Sequence, residues 1–235
     1  MSERPPAPNV GAALTWAFSQ MRRHTVAYLA LAAVVTVILF AQGVASRPIQ
    51  EAVLACSNPQ SPGQQAACTT AAGSGLLVTA GVFFAFVILG WLASIGVRRA
   101  AVQATHGVLP TFTQMVTTQY LGRYVLFSLL QGVIIALGLV LCIVPGIVAF
   151  VAFQLGPYLV LDRGERPMRA LAISARAIRA HPGPGIALGA ITLAASLLGG
   201  VAFGLPTLIV LPFSCLFSAH MYRQFMGDGP DQIAD

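Results

Sequence analysis

The chain has no lysine and little charge of any kind: 9% of its 235 residues are charged, thirteen arginines against seven acids, for a net charge of +6. With 57% hydrophobic residues it has too little polar surface to enclose a water-soluble core, which excludes an ordinary soluble domain. The positive balance does not point to nucleic acid. The arginines stand in clusters between apolar runs, the arrangement that orients a multi-pass protein in a bilayer. Catalytic signatures are also missing. There is no G-x-S-x-G, no H-E-x-x-H and no P-loop, and Asp162 with Glu165 form a lone acidic pair among arginines, explained by local salt bridges and helix N-terminal charge. The reading is therefore of a protein that is not an enzyme and carries no cofactor.

What the chain does have is apolar runs of membrane-crossing length. Residues 1–9 read as a disordered, proline-rich tail. From Val10 the apolar residues Leu14, Ala17, Phe18 and Met21 share a helical face, with Trp16, Arg22 and Arg23 off it, so an amphipathic helix in the cytoplasmic interface leads into the first span. Six spans are predicted, at about 25–45, 75–97, 124–144, 146–161, 183–203 and 205–222, each near the roughly 20 residues that cross the hydrocarbon. Reading the first span as a signal peptide cleaved after Gly43, Val44 and Ala45 would need an already helical leader of more than about twenty residues before it, so the uncleaved span is preferred. Pro145 and Gly146 are expected to make the turn between the third and fourth spans, and 204–206 the break before the sixth. With both termini cytoplasmic and 224–235 as a short tail, every arginine except Arg47 lies inside, as the positive-inside rule requires. Tyr28, Tyr120, Tyr124, Tyr158 and Tyr222 then map near the inner interface.

The one long polar connection, 46–74, lies outside in this topology and carries Cys56 and Cys68. The oxidising side of the membrane predicts a disulfide between them, closing a loop with no core of its own. Cys142 near the outer face and Cys215 inside the last span read as packing residues. On the inner side, Arg166, Arg169, Arg176 and Arg179 share one arc of a helix opposite Leu171, Ala175 and Ile178, a pattern expected to contact anionic lipid headgroups. The histidines His24, His106, His181 and His220 are too dispersed for a metal site and read as interfacial. No carboxylate or arginine falls within the predicted spans. Their polar residues, Gln131 and Gln154 with Thr79, Ser94, Ser128, Ser196 and Ser214, are expected to bond between helices. Gly185-x-x-x-Gly189 and Gly200-x-x-x-Gly204 permit close helix approach, inside the bundle or to a partner.

An amphipathic segment followed by a membrane hairpin recurs three times, led by NVGAALTWAFSQMRRH, LPTFTQMVTTQYLGRY and RPMRALAISARAIRAH, a hydropathy pattern that predicts a three-hairpin repeat. The fold expected is an all-α polytopic membrane helical bundle of six transmembrane helices with cytoplasmic amphipathic interfacial helices, a single transmembrane domain over 10–223.

The order of an apolar span, IVPGI, a second span ending YLVLDRG, then PMRALAISARAI and two more spans closing on HMYRQF resembles the uncharacterised six-span bacterial membrane proteins of the glycerophosphoryl diester phosphodiesterase membrane-domain-like group. GAALTWAFSQMRRH and THGVLPTF fit the same pattern. The resemblance implies the membrane part only. No residues remain for the soluble catalytic domain of some relatives, no phosphodiesterase activity is carried over, and the Cys56–Cys68 loop is not part of the likeness. It implies a multi-pass protein of a bacterial plasma membrane, in keeping with the all-arginine usage of a GC-rich bacterium. Two functions are expected: a scaffold, assembly factor or accessory subunit contacting other membrane proteins and anionic lipids, or a lipid or small-amphiphile transporter. A lateral groove between hairpins, lined by Gln131 and Gln154, would favour the transporter; a closely packed bundle with an exposed flat face would favour the scaffold.

Overall fold

A computed structural model of the chain describes residues 7–57, 68, 74–108, 119–200 and 206–227, and these are all-α. The first six residues of the expected tail, most of the Cys56–Cys68 loop, 109–118 of the second amphipathic segment, Gly204 and residues 228–235 lie outside the described residues. The helices are α1 (Val10–Arg23), α2 (Thr25–Ser57), α3 (Ser74–Ala104), α4 (Leu121–Leu141), α5 (Ile143–Ala152), α6 (Gly156–Arg163), α7 (Pro167–Ala180), α8 (Pro182–Gly200) and α9 (Thr207–Phe225). Five stretches are long and apolar enough to cross a membrane: Thr25–Arg47, Ala80–Ala104, Leu121–Leu141, Ile143–Arg163 and Pro182–Gly199. Their mostly lipid-directed surfaces, with residues such as Val140, Leu141 and Leu197 exposed, are what a bilayer-immersed bundle presents.

Three hairpins carry the bundle, α2 with α3, α4 with α5, and α8 with α9. At its centre is α9, which packs against α1, α2, α3 and α8. It is less apolar than the five crossing stretches because it holds Pro212, Ser214, Ser218, His220, Arg223 and Gln224, and its run Cys215–Tyr222 is buried throughout. Neighbouring helices, not lipid, surround these polar groups, so they find protein partners.

Helix α1 shows how. Asn9 caps it by accepting from the Ala12 amide at 3.1 Å, and the Asn9 backbone exchanges bonds with the Gln224 side chain, donating at 2.5 Å and accepting at 3.3 Å. The face turned inward is Ala13, Trp16, Ala17 and Gln20, whereas Phe18 is 59% exposed. The expected stripe is thus rotated to include Trp16. Two alanines let α1 approach α9 closely, and the indole then meets the His220 ring at 4.9 Å.

The expected turn at Pro145 and Gly146 moves upstream. The chain turns at Cys142, with extended backbone, and Pro145 and Gly146 stand in the first turn of α5, where a proline loses no helical hydrogen bond. Gly146 serves the crossing instead: a β-carbon there would come 2.5 Å from the Leu139 side chain and 2.8 Å from its backbone nitrogen. The connection between α2 and α3 also differs. Helix continues to Ser57 and resumes at Ser74, so much of 46–74 is helical, and Cys56 and Cys68 are joined by a disulfide. Gly185 and Gly189 lie against Ile178 and Val151, which places that small-residue pair inside the bundle.

Replacing Gly146 by valine should overpack the α4–α5 hairpin and cost about 1–3 kcal/mol, read as a lowered thermal unfolding midpoint in detergent. Gly183→Ala, at a glycine with nothing within 4 Å of an added β-carbon, should leave the midpoint unchanged or slightly raised.

Candidate functional site

The fourth apolar stretch is not one helix. It is broken at Phe153, Gln154 and Leu155 between α5 and α6, and Pro157 just after the break explains why: its nitrogen carries no hydrogen for the carbonyl one turn back. A break inside an apolar stretch frees backbone groups that must be satisfied by protein. Ser174, fully buried on α7, does this for two of them, donating to the Ala152 carbonyl at 2.7 Å and accepting from the Leu155 amide at 3.2 Å. The Phe153 carbonyl accepts from the Gly156 amide at 3.1 Å and lies 3.5 Å from the Gln131 side-chain amide.

Beside the break lies a cleft of about 220 Å³ bounded by α3, α4, α5, α6, α8 and α9. Its polar lining includes Arg98, Gln131, Gln154, Tyr158, Thr192 and Ser214. Gln154 donates to Thr192 at 2.9 Å. Its side-chain oxygen is buried and has no hydrogen-bond partner among the described residues. The two glutamines, expected to bond between helices or, in the transporter reading, to line a groove, meet at one cavity.

Arg98 corrects the expectation that no charge lies within the spans. Helix α3 runs on to Ala104, and the crossing stretch Ala80–Ala104 includes both Arg98 and Arg99. Arg98 is six residues before the end of the helix at Ala104, about 9 Å along its axis. It is half-buried and donates to the Tyr124 hydroxyl, with Tyr158 and Cys215 beside it. Arg99, 7% exposed, turns the other way and donates to the Gln119 carbonyl. Among the described residues no acidic side chain lines the cleft.

Sequence reasoning missed this arginine because adjacent arginines at the end of an apolar run look alike. The signal that could have found it is the tyrosine set. Tyr28, Tyr124, Tyr158 and Tyr222 are at most 5% exposed, and three of them turn their hydroxyls onto protein groups: Tyr124 to Arg98, Tyr158 to the Cys215 carbonyl at 3.5 Å, and Tyr222 to Asp162 at 2.8 Å. They do not form a membrane-facing belt; they are polar tips buried at one end of the bundle.

A second cluster closes that end. Asp162 accepts from Tyr222 and pairs with His106 at 3.1 Å, and Arg223 approaches the same imidazole nitrogen at 3.5 Å. These bonds tie α3, α6 and α9 together. His220, expected at the interface, is buried between Trp16 and Gln224, whose side-chain amide is 2.8 Å from its ring. The four histidines do not converge, and no group of three or more potential metal ligands occurs among the described residues.

The four arginines assigned to headgroup contact, Arg166, Arg169, Arg176 and Arg179, are exposed on and just before α7. Arg169 pairs with Glu165 at 3.4 Å. The opposite stripe, Ala170, Leu171, Ser174 and Ile178, is buried because α7 packs on α4, α5, α6 and α8. That stripe is spent on protein and not on lipid. Cys142 is exposed and Cys215 buried, both free.

No protein-family profile, curated protein or solved structure matches the chain.

Ser174→Ala removes the partner of two buried backbone groups at once. We expect a loss of about 1–3 kcal/mol for an unsatisfied buried group, seen as a lower unfolding midpoint, with faster amide exchange at Leu155 than in the unaltered protein. Unchanged exchange at Leu155 would show that the break is held by other contacts.

Proposed function

We propose that this is a non-enzymatic multi-pass membrane protein that takes a lipid or other small amphiphile into the cleft beside the α5–α6 break, and serves as a transporter for it. The observation that carries this reading is the cleft itself, lined by Gln131 and Gln154 from two different helical elements of the α4–α5 hairpin and its continuation. A discontinuous helix whose free polar groups border a cavity is the usual construction of a substrate site within a bilayer. At about 220 Å³ the cavity is smaller than the roughly 300–1,000 Å³ of a pocket that encloses a whole drug-sized ligand. It suits a headgroup whose chain stays in the membrane. A side opening is available because α3 and α4 are not packed along their lengths. Tyr124 bridges them, its ring 5.7 Å from Trp91 and its hydroxyl on Arg98.

The scaffold, assembly-factor or accessory-subunit reading is favoured by one other observation, the length of the α2–α3 hairpin, whose helices of 33 and 31 residues exceed the roughly 20 residues of a crossing and offer a surface outside it. In either reading the protein sits in a bacterial plasma membrane with six crossings, α9 being the sixth, and with both termini cytoplasmic; its partners are membrane lipids, anionic at the α7 arginines, and other membrane proteins, with no nucleic acid. Membership of the six-span group that the sequence resembles belongs to the same proposal, with the broken fourth span and the α7 segment as the parts that carry the likeness.

Filling the cleft tests the function. In protein purified in mild detergent, Gln154→Trp should lower co-purified amphiphile severalfold by mass spectrometry while the protein stays monodisperse. Equal amphiphile in the two proteins would sink the cleft reading and leave the scaffold.

Topology is tested separately by single cysteines at Ser61 and Val108 in a background without native cysteines. The two positions should label from opposite faces with a membrane-impermeant maleimide; Val108 is 49% exposed, so reagent access is not limited by packing. Labelling from the same face would remove the six-span arrangement.

A further inference from the structure

Among the described residues the cleft holds one formal charge and nothing of opposite sign. Among its lining residues Arg98 is the only ionisable cation, and the groups near its guanidinium, the hydroxyls of Tyr124 and Tyr158, the Cys215 thiol and Ser218, are neutral. An arginine whose backbone stands about 9 Å inward of the helix end at Ala104, within an apolar crossing stretch, is costly unless it meets an anion or water. Arg99, its neighbour, is turned away from the cleft onto the Gln119 carbonyl, and the acids Asp162 and Glu165 are already held by Tyr222, His106 and Arg169. Among the described residues the cleft therefore has a five-donor fork, of which Tyr124 takes one position and the Cys215 thiol meets another, and no carboxylate to face it. A planar fork with spare donors matches the paired oxygens of a phosphate or a carboxylate.

We propose, resting on the cleft reading above, that the group bound there is an anionic oxyacid, a phosphate or carboxylate, held by Arg98 with Gln154 and Thr192 as neutral contacts. In the membrane its natural source is the headgroup of an anionic lipid whose chains leave through the seam between α3 and α4. Gln154 is placed for this because its oxygen is unpartnered while its amide already contacts Thr192; a ligand hydroxyl next to the acid group would have an acceptor waiting. The cavity volume of about 220 Å³ admits the acid group and excludes the acyl part. A purely structural role for Arg98, a bond to Tyr124 that ties α3 to α4, predicts instead no preference for charge in what the cleft holds.

The test uses the whole protein in neutral detergent, incubated with mixed micelles containing equal amounts of phosphatidylglycerol and phosphatidylcholine of the same chains, and read by native mass spectrometry. The unaltered protein should retain phosphatidylglycerol over phosphatidylcholine by about tenfold or more, the range of one hydrogen-bonded charge contact. Arg98→Gln should abolish the preference and Arg98→Lys keep part of it. The triple change Arg169→Gln, Arg176→Gln and Arg179→Gln should leave it intact, since those residues lie outside the cleft. Tyr124→Phe supplies the structural control: it breaks the tie between the helices, so it should lower the unfolding midpoint and leave the preference. If Arg98→Gln fails to fold, Gln154→Trp in a chain that keeps Arg98 takes its place and should expel phosphatidylglycerol. Excess inorganic phosphate, added as competitor, separates the sources of the anion: displacement of the lipid assigns the site to the free acid group, and retention assigns it to the lipid, both supporting the anionic class. Equal retention of the two lipids by the unaltered protein would overturn the charge proposal and leave the cleft reading standing. Retention of neither would remove both. A preference lost in the α7 triple variant and kept in Arg98→Gln would move the anion to the protein surface and refute the site.

Discussion

The bundle depends on the burial of a helix that is poorly suited to lipid. Helix α9 carries His220, Gln224, Tyr222 and Ser218 on the same length of chain that must sit among apolar elements, and in hydrocarbon each unpaired polar group costs several kcal/mol. The chain answers by surrounding α9 with α1, α2, α3 and α8 and giving His220, Tyr222 and Gln224 partners on another element or one turn away. Gln224 clasps the backbone of Asn9, Tyr222 reaches Asp162 on α6, and His220 rests between Trp16 and Gln224. These bonds are specific in direction, so they set the rotation of α1 and the position of α6 in a way that apolar contact alone does not.

That arrangement in turn places the cleft. With α9 fixed at the centre, α3 and α8 are its flanks, and the α4–α5 hairpin is left to close the remaining side. It does so through α5 against α8, and through α6 beneath, against α3 and α4. Because α5 and α6 are separate helices joined at a bend, the wall they form has polar backbone at mid-height, and Ser174 from α7 holds the bend together. Gly164, with φ of 61°, then turns the chain from α6 toward α7. This is a left-handed conformation that a residue with a β-carbon adopts at a cost, and here a β-carbon would also meet the Tyr120 ring at 2.6 Å.

The helical class and the positions of the apolar runs were legible because a 20-residue run without charge has few other uses. The Cys56–Cys68 pairing followed from a shared polar loop on one side of the membrane. Helix ends were less legible. Arg98 and Arg99 mark the end of a run in the sequence, yet a long side chain can point back along the helix and be received by tyrosines from other elements, which only the tertiary arrangement decides. The same holds for α1 and α7: their apolar faces could be read, whereas whether lipid or protein covers them depends on small residues such as Ala13 and Ala17 facing a neighbour of matching shape. Gly156 and Pro157 in succession were a legible warning of the break, obscured by the hydrophobic residues on either side. Gln131 and Gln154 could be named from sequence as polar residues in apolar runs, but their convergence with Arg98 is a product of the break, and no spacing in the chain encodes it.

The length of the first hairpin has a mechanical meaning of its own. The crossing part of α2 ends at Arg47 and the helix continues to Ser57, ten more residues that rise about 15 Å. The polar layer on each side of a bilayer is only about 5–8 Å deep, a shorter distance than this extension of α2. The disulfide from Cys56 to Cys68 therefore sits on the extension, nine residues past the last residue of the apolar stretch, and cross-links the chain where the helix ends.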